Sequence, residues 1–273
     1  MSLSAQTRAV LDVFDDAALV LGRGGVLLHA NLACARLFGL ARDELVALPL
    51  ERLLPQLSAA QLRSHDLAAK AQAGGAFDDQ VVPVTTPDGT VVTADEGIRP
   101  GGTLEKLATL KTPFQADGVV SAGNASQISD GAAALLVTTS EKARELGLTP
   151  LVRVHTTVVA GDDPVIMLTA PIPATRKVLE RSGLDLADIG VFEVNEAFAS
   201  VPLAWLAEVG ADVEKVNPLG GAIALGHPLG ASGARIMTTL VHRMLATGTR
   251  YGLQTMCEGG GMANATVLEL IGS

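Results

Sequence analysis

Three short segments carry residue types that can move a proton and stabilise a developing negative charge. "VFEVNEAFA" (residues 191–199) places Glu193, Asn195 and Glu196 at the end of an apolar run. An amide there can hold a water or an acyl oxygen without changing charge, and it can equally cap the following helix. "NPLGGAIALGHPLGASGAR" (residues 217–235) sets His227 between Gly226 and Pro228 on a glycine-rich loop. An imidazole titrates near neutrality and can take a proton from a thiol; a loop histidine can also simply pack. Ser232 in the same loop reads as an N-terminal helix residue. "MCEGGGMANA" (residues 256–265) puts Cys257 just ahead of three glycines. Free backbone amides beside a sulfur can lower its pKa and build an oxyanion hole, although a lone cysteine also serves as a small buried hydrophobe. Cys257 lies 30 residues after His227, which lies 32 after Asn195. A fourth segment, "SAGNASQISDGAAA" (residues 121–134), is either a small-residue loop that receives a thin ligand chain or a close-packed connection.

The elements that must position these residues alternate between strand and helix. Leu151–Val159 reads as a strand, Pro173–Ser182 as a helix stopped by Gly183, and Val191–Val194 as a strand. Glu196–Val209 reads as a helix and Ala231–Thr247 as a longer one. Tyr251–Met256 and Ala265–Ile271 close as strands. Strands separated by helical stretches predict βαβ units in a layered α/β fold. Upstream, Ala59–Ala73 is an alanine-rich helix former. Asp130–Thr139 reads as a small-residue helix running into an apolar stretch. Near the start, Ala17–Leu21 and Val26–His29 flank the turn Gly22-Arg23-Gly24-Gly25, a β-hairpin pattern. Composition divides the chain into residues 1–56, 57–148 and 149–273.

The 273 residues are 48% hydrophobic and 18% charged, enough apolar material for a buried core. The formal charge of −9 at pH 7 argues against a general nucleic-acid binder. It leaves room for an anionic ligand held by backbone amides. The two cysteines, Cys34 and Cys257, are far apart and make no disulfide framework, which points to a reducing cytoplasm. Neither a signal peptide nor a membrane span is legible, and the Cys and His spacing implies no metal.

Taken in order, "AGNAS", "APIPATRKVLERSGL", "NEAFA", "GGAIALGHPLGASGAR" and "CEGGGMANA" closely resemble the thiolase family, acyltransferases that use coenzyme A. The likeness extends over about residues 58–273. "AAKAQAGGAFDDQVVPV" and "DEGIRPGGTLEKLATLKTPF" resemble that family's loop domain. The resemblance implies a thiolase-like C-terminal βαβ layered domain behind a partial loop-domain segment. It implies acyl-CoA and coenzyme A as substrates, no permanently bound cofactor and a homo-oligomer. His227 then matches the histidine that activates the nucleophile, and Cys257 the acid/base that moves the α-proton. Asn195 matches the holder of a catalytic water, and the Gly259 backbone a donor in a second oxyanion hole. Ser126, Ala122, Phe114 and Phe198 match positions along the pantetheine tunnel. The family's acyl-accepting cysteine has no counterpart in the matching region. The reading is therefore an acyltransferase completed by a separate thiolase N-terminal half, or a non-catalytic coenzyme A-binding pseudoenzyme. Separately, the hairpin and the following "HANLACARLFGLARDELVALPLERLLP" resemble the start of a PAS sensor domain over residues 11–55. That leaves a third alternative, a PAS-type sensory module with a thiolase-derived tail. So short a stretch is too small to bury an independent core.

Overall fold

The computed structural model describes residues 19–21, 27–30, 55–115 and 118–271, with the first two stretches and residues 55 and 56 given by backbone alone. The chain divides into two compact units. One comprises residues 1–59 and 103–124, the other residues 60–102 and 125–273.

In the first unit β1 (Leu19–Leu21) pairs antiparallel with β2 (Leu27–Ala30), the hairpin that the glycine-rich turn predicts. The rest of the PAS-like stretch, including Cys34, lies outside the described residues. Residues 119–124 form a tight loop: Asn124 Oδ1 accepts from the Ser121 N–H at 3.0 Å, and its Nδ2 donates to Val119 O at 2.7 Å.

The second unit is built around a four-stranded mixed sheet. Its strands are β5 (Val152–Gly161), β6 (Val191–Val194), β7 (Tyr251–Glu258) and β8 (Met262–Leu270), in the order β5-β8-β7-β6. β6 and β7 run parallel; the other pairs are antiparallel. The β6–β7 crossover is the predicted βαβ unit, whereas β7 and β8 are joined by the three-glycine turn. One face buries Phe192, Val194, Leu253 and Val267 against Val178 of α4 (Pro171–Ser182) and Trp205 of α5 (Ser200–Val209). The opposite face packs Val191 and Leu268 on Leu240, Val241 and Met244 of α7 (Ser232–Thr247). Strand alternation therefore sends successive β6 residues into different layers.

Smaller elements complete the described chain. α1 (Pro55–Ala73) contributes Ala68 and Ala71 to a cluster with Phe77, Leu219 and Leu225. β3 (Val84–Thr85) and β4 (Val91–Val92) make a short hairpin. α2 (Leu104–Ala108) starts at the Thr103 cap, α3 (Ser140–Glu145) at the Thr139 cap, and α6 (Ala222–Leu225) is a single turn. No helix among the described residues is long and apolar enough to cross a membrane.

Two expectations fail for local reasons. Residues 130–139 are not helical. Residues 125–128 enter this stretch extended, tied to Ala197, Phe198 and His227. The helix begins only where Thr139 Oγ1 accepts the Lys142 N–H at 3.2 Å. The helix read as starting at Glu196 starts at Ser200, with Ala199 as its N-cap, because residues 195–198 are held out by pairing and burial.

The Trp205 indole donates to Thr175 Oγ1 at 2.8 Å inside the core, and its ring meets Phe192 edge-on at 5.3 Å. Replacing Thr175 with Val keeps the shape but leaves a buried N–H unmatched. The expected cost is about 1–3 kcal/mol. Denaturant unfolding followed by the emission of Trp205, the chain's single tryptophan, will measure it.

Candidate functional site

Asn195 directly follows β6, and its N–H extends the parallel ladder to Thr255 O at 3.1 Å. It is only 2% exposed. It does not cap α5, so the helix-cap reading of this residue fails. Its Nδ2 lies 3.5 Å from His227 Nε2, and its side chain also hydrogen-bonds the Cys257 sulfur. Its Oδ1 has no hydrogen-bond partner among the described residues. The structure thus brings an amide after β6, an imidazole on the loop before α7 and a sulfur near the end of a strand to one place.

His227 is presented by a rigid loop. Gly226 has φ 88°, and a Cβ there would meet Ser129 Oγ at 2.4 Å, so this position is closed to other residues. The His227 N–H donates to Gln127 O at 2.8 Å. Its Nδ1 sits 2.5 Å from Ser232 Oγ, which also lies 3.0 Å from Pro228 O. The serine hydroxyl has one proton, and the carbonyl can only accept. The proton therefore goes to Pro228 O, and Ser232 accepts from Nδ1–H. That arrangement leaves the Nε2 lone pair facing the Asn195 amide. By sequence alone Ser232 reads as a plain helix residue. The available signal was a serine opening a helix five residues after a histidine in a short loop.

Burial pushes the His227 pKa below the usual histidine range, so the ring is a neutral base at pH 7. Cys257, the next-to-last residue of β7, has its thiol pushed up. Burial is the largest cause and the Glu258 charge adds to it, while the Cys257 amide and the Asn195 side chain oppose it. Burial thus outweighs the lowering that backbone amides beside the sulfur can give. At rest the group is a thiol, a proton donor.

Gly259 begins the turn between β7 and β8, where a Cβ would meet nothing, so its backbone borders open space. Ser126 donates its N–H to Ala197 O at 3.0 Å, and Ala125 bridges Phe198. With Ile128 bridged to His227, residues 125–128 lace the "NEAFA" and "GHP" segments together. Phe198 is half-buried. An open cleft of about 420 Å³ runs beside them, lined by residues 129–133 and 228–231. Ala122 and Phe114 belong to the other unit, and both are exposed there. Glu193 is buried and stays out of this cluster. Its carboxyl is held well above the usual carboxylate range by burial, against the opposing charge of Arg235.

The alkylation of Cys257 by iodoacetamide, followed by peptide mass spectrometry, should keep accelerating above the pH at which an ordinary thiol of pKa about 8.5 levels off. Asn195→Ala removes a hydrogen bond to the sulfur and should move that midpoint further up. A midpoint below the ordinary value contradicts this geometry. Ser232→Ala should release the Nδ1–H preference of His227, which long-range nitrogen–proton NMR reads directly.

Comparison with known proteins gives the family. Family models described as thiolase, N-terminal domain and thiolase, C-terminal domain match residues 55–141 and 148–270, together more than half of the chain. A PAS fold model matches residues 11–95. A 3-ketoacyl-CoA thiolase of Aliivibrio fischeri is 51% identical over 222 residues, covering 78% of this chain and 57% of that protein. A steroid 3-ketoacyl-CoA thiolase of Mycobacterium tuberculosis is 50% identical over 208 residues, covering 76% and 50%. The crystal structure of the Bacillus anthracis acetyl-CoA acetyltransferase superposes with a TM-score of 0.76 at 45% identity, covering 79% of this chain and 56% of that one. The chain spans about half the length of the curated relatives it matches. Matched by both thiolase models and about half identical to its relatives over their shared length, this chain belongs to the thiolase family.

Proposed function

We propose that this chain supplies the acid/base half of a thiolase-type acyl-CoA acyltransferase. The convergence of Asn195, His227 and Cys257 on one point carries the reading. Relatives named 3-ketoacyl-CoA thiolase and acetyl-CoA acetyltransferase indicate the substrate class, an acyl-CoA with coenzyme A as the second reactant.

The cluster suits that chemistry. His227 Nε2 takes the proton of a nucleophilic thiol and becomes an imidazolium. Its new N–H can then donate to the thioester oxygen as negative charge gathers there. The Cys257 thiol can give its proton to the α-carbon of an enolate leaving in cleavage, and the resulting thiolate can take one back in condensation. A water held by Asn195 and the Gly259 N–H would stabilise the two oxyanions. Ser126 and Phe198 would line the pantetheine path. Cys257 is the only cysteine in the thiolase-matched residues. The acyl-accepting thiol would therefore come from a separate thiolase N-terminal half, since a second copy of this chain in a homo-oligomer would bring no further cysteine of that kind.

Purified chain should show no acetoacetyl-CoA thiolysis alone and gain it when a thiolase N-terminal half is added. His227→Ala or Cys257→Ala should then lower the gained rate by roughly 10²–10⁴-fold. A second reading, a coenzyme A-binding pseudoenzyme, is favoured by that same lone cysteine. Calorimetry separates the two: coenzyme A binding without turnover in any mixture supports the pseudoenzyme, and neither binding nor turnover removes both.

A further inference from the structure

The mechanism leaves unused one buried charged residue that touches both catalytic loops. Glu196 is 6% exposed. Its Oε2 accepts from Ser64 Oγ of α1 at 2.7 Å and from the Ile223 N–H at 3.2 Å. Its Oε1 accepts from Asn217 Nδ2 at 3.1 Å. Ser64 Oγ in turn accepts the Gly221 N–H at 3.1 Å. The carboxyl lies so close over Gly221 that a Cβ there would meet Glu196 Cδ at 2.3 Å. Its anchor points therefore lie at the start of the single-turn helix α6, which ends at Gly226 and delivers His227.

Asn217 ties the other side. Its Oδ1 accepts the Val194 N–H and its Nδ2 donates to Val194 O, both at 2.8 Å. This two-point grip on the β6 backbone, next to Asn195, fixes the amide orientation. The Nδ2 facing Glu196 must stay a donor. The Ile223 N–H cannot become anything else. Both Glu196 oxygens thus face fixed donors.

We propose that Glu196 is a positioning residue: an acceptor-only carboxylate that clamps the start of α6 to the β6 end, and so holds His227 Nε2 against the Asn195 amide. Size is not what the site demands of this side chain. A glutamine of the same shape carries one donor group. In one orientation that group meets Asn217 Nδ2; in the other it meets the Ile223 N–H. Either way two donors confront each other inside a buried network, which is costly to leave unsatisfied.

The inference rests on reading Asn195, His227 and Cys257 as one site, and its test avoids turnover so that the two can fail separately. The titration of His227 is followed by NMR in the full chain, its signal assigned by loss in His227→Ala. Burial holds its midpoint low in the wild-type chain. In Glu196→Gln the loop should open, and the midpoint should rise toward the ordinary value of about 6.5. Ser64→Ala removes one arm of the clamp and should move the midpoint the same way by less. Thr175→Val, in the core around Trp205, destabilises the fold without touching the clamp and should leave it in place. An unchanged midpoint in Glu196→Gln overturns the proposal. If that variant does not fold, an unchanged midpoint in Ser64→Ala does so, as does an equal shift in Thr175→Val.

Discussion

Parallel pairing of β6 with β7 is the constraint on which the rest of the site depends. The register sets Val194 beside Thr255, and the Asn195 N–H continues the ladder to Thr255 O. Parallel neighbours end on the same edge of a sheet, and that edge is where α/β folds gather functional groups. Asn195 and Cys257 reach each other because Asn195 directly follows β6 and Cys257 lies near the end of its parallel neighbour β7. Antiparallel pairing would have sent them to opposite ends.

The parallel arrangement demands a long crossover, and the crossover carries the third group. Between β6 and β7 the chain builds α5, α6 and α7, and the loop between the last two holds His227. A long loop could wander, yet several restraints act on this one. Asn217 grips β6, Glu196 accepts at the start of α6, Gln127 accepts the His227 N–H, and Ser232 accepts from the ring. Most of these are short polar contacts in buried or half-buried surroundings, where an unmatched donor is expensive and geometry is correspondingly well defined.

Burial also sets the protonation states. The same removal from water that strengthens these hydrogen bonds pushes the imidazole toward its neutral form and the thiol toward its protonated form. The base and the acid each rest against Asn195, without a charge on either. Glu196 bears the conflict more openly: burial raises its pKa, while Ser64, Asn217 and Ile223 all donate to it and oppose the rise.

Read alone, the residues determined a good deal. The span of β6, the extent of α7 and the stop at Gly183 were legible from apolar periodicity and glycine placement, because these are local preferences of a few consecutive residues. The motif order was legible too, and it pointed to Asn195, His227 and Cys257. Tertiary structure decided which alternative each residue took. Asn195 proved to be a buried amide facing His227 rather than a cap because residues 197–198 pair with 125–126, a contact across about 70 positions of sequence. Residues 130–139 escaped the helix for the same reason. Ser232 became the partner of His227, and Cys257 became a protonated thiol, only once packing had set distances and excluded water. Periodicity records what a residue prefers beside its neighbours in the chain; proton positions depend on neighbours in space, and those exist only after the fold has formed.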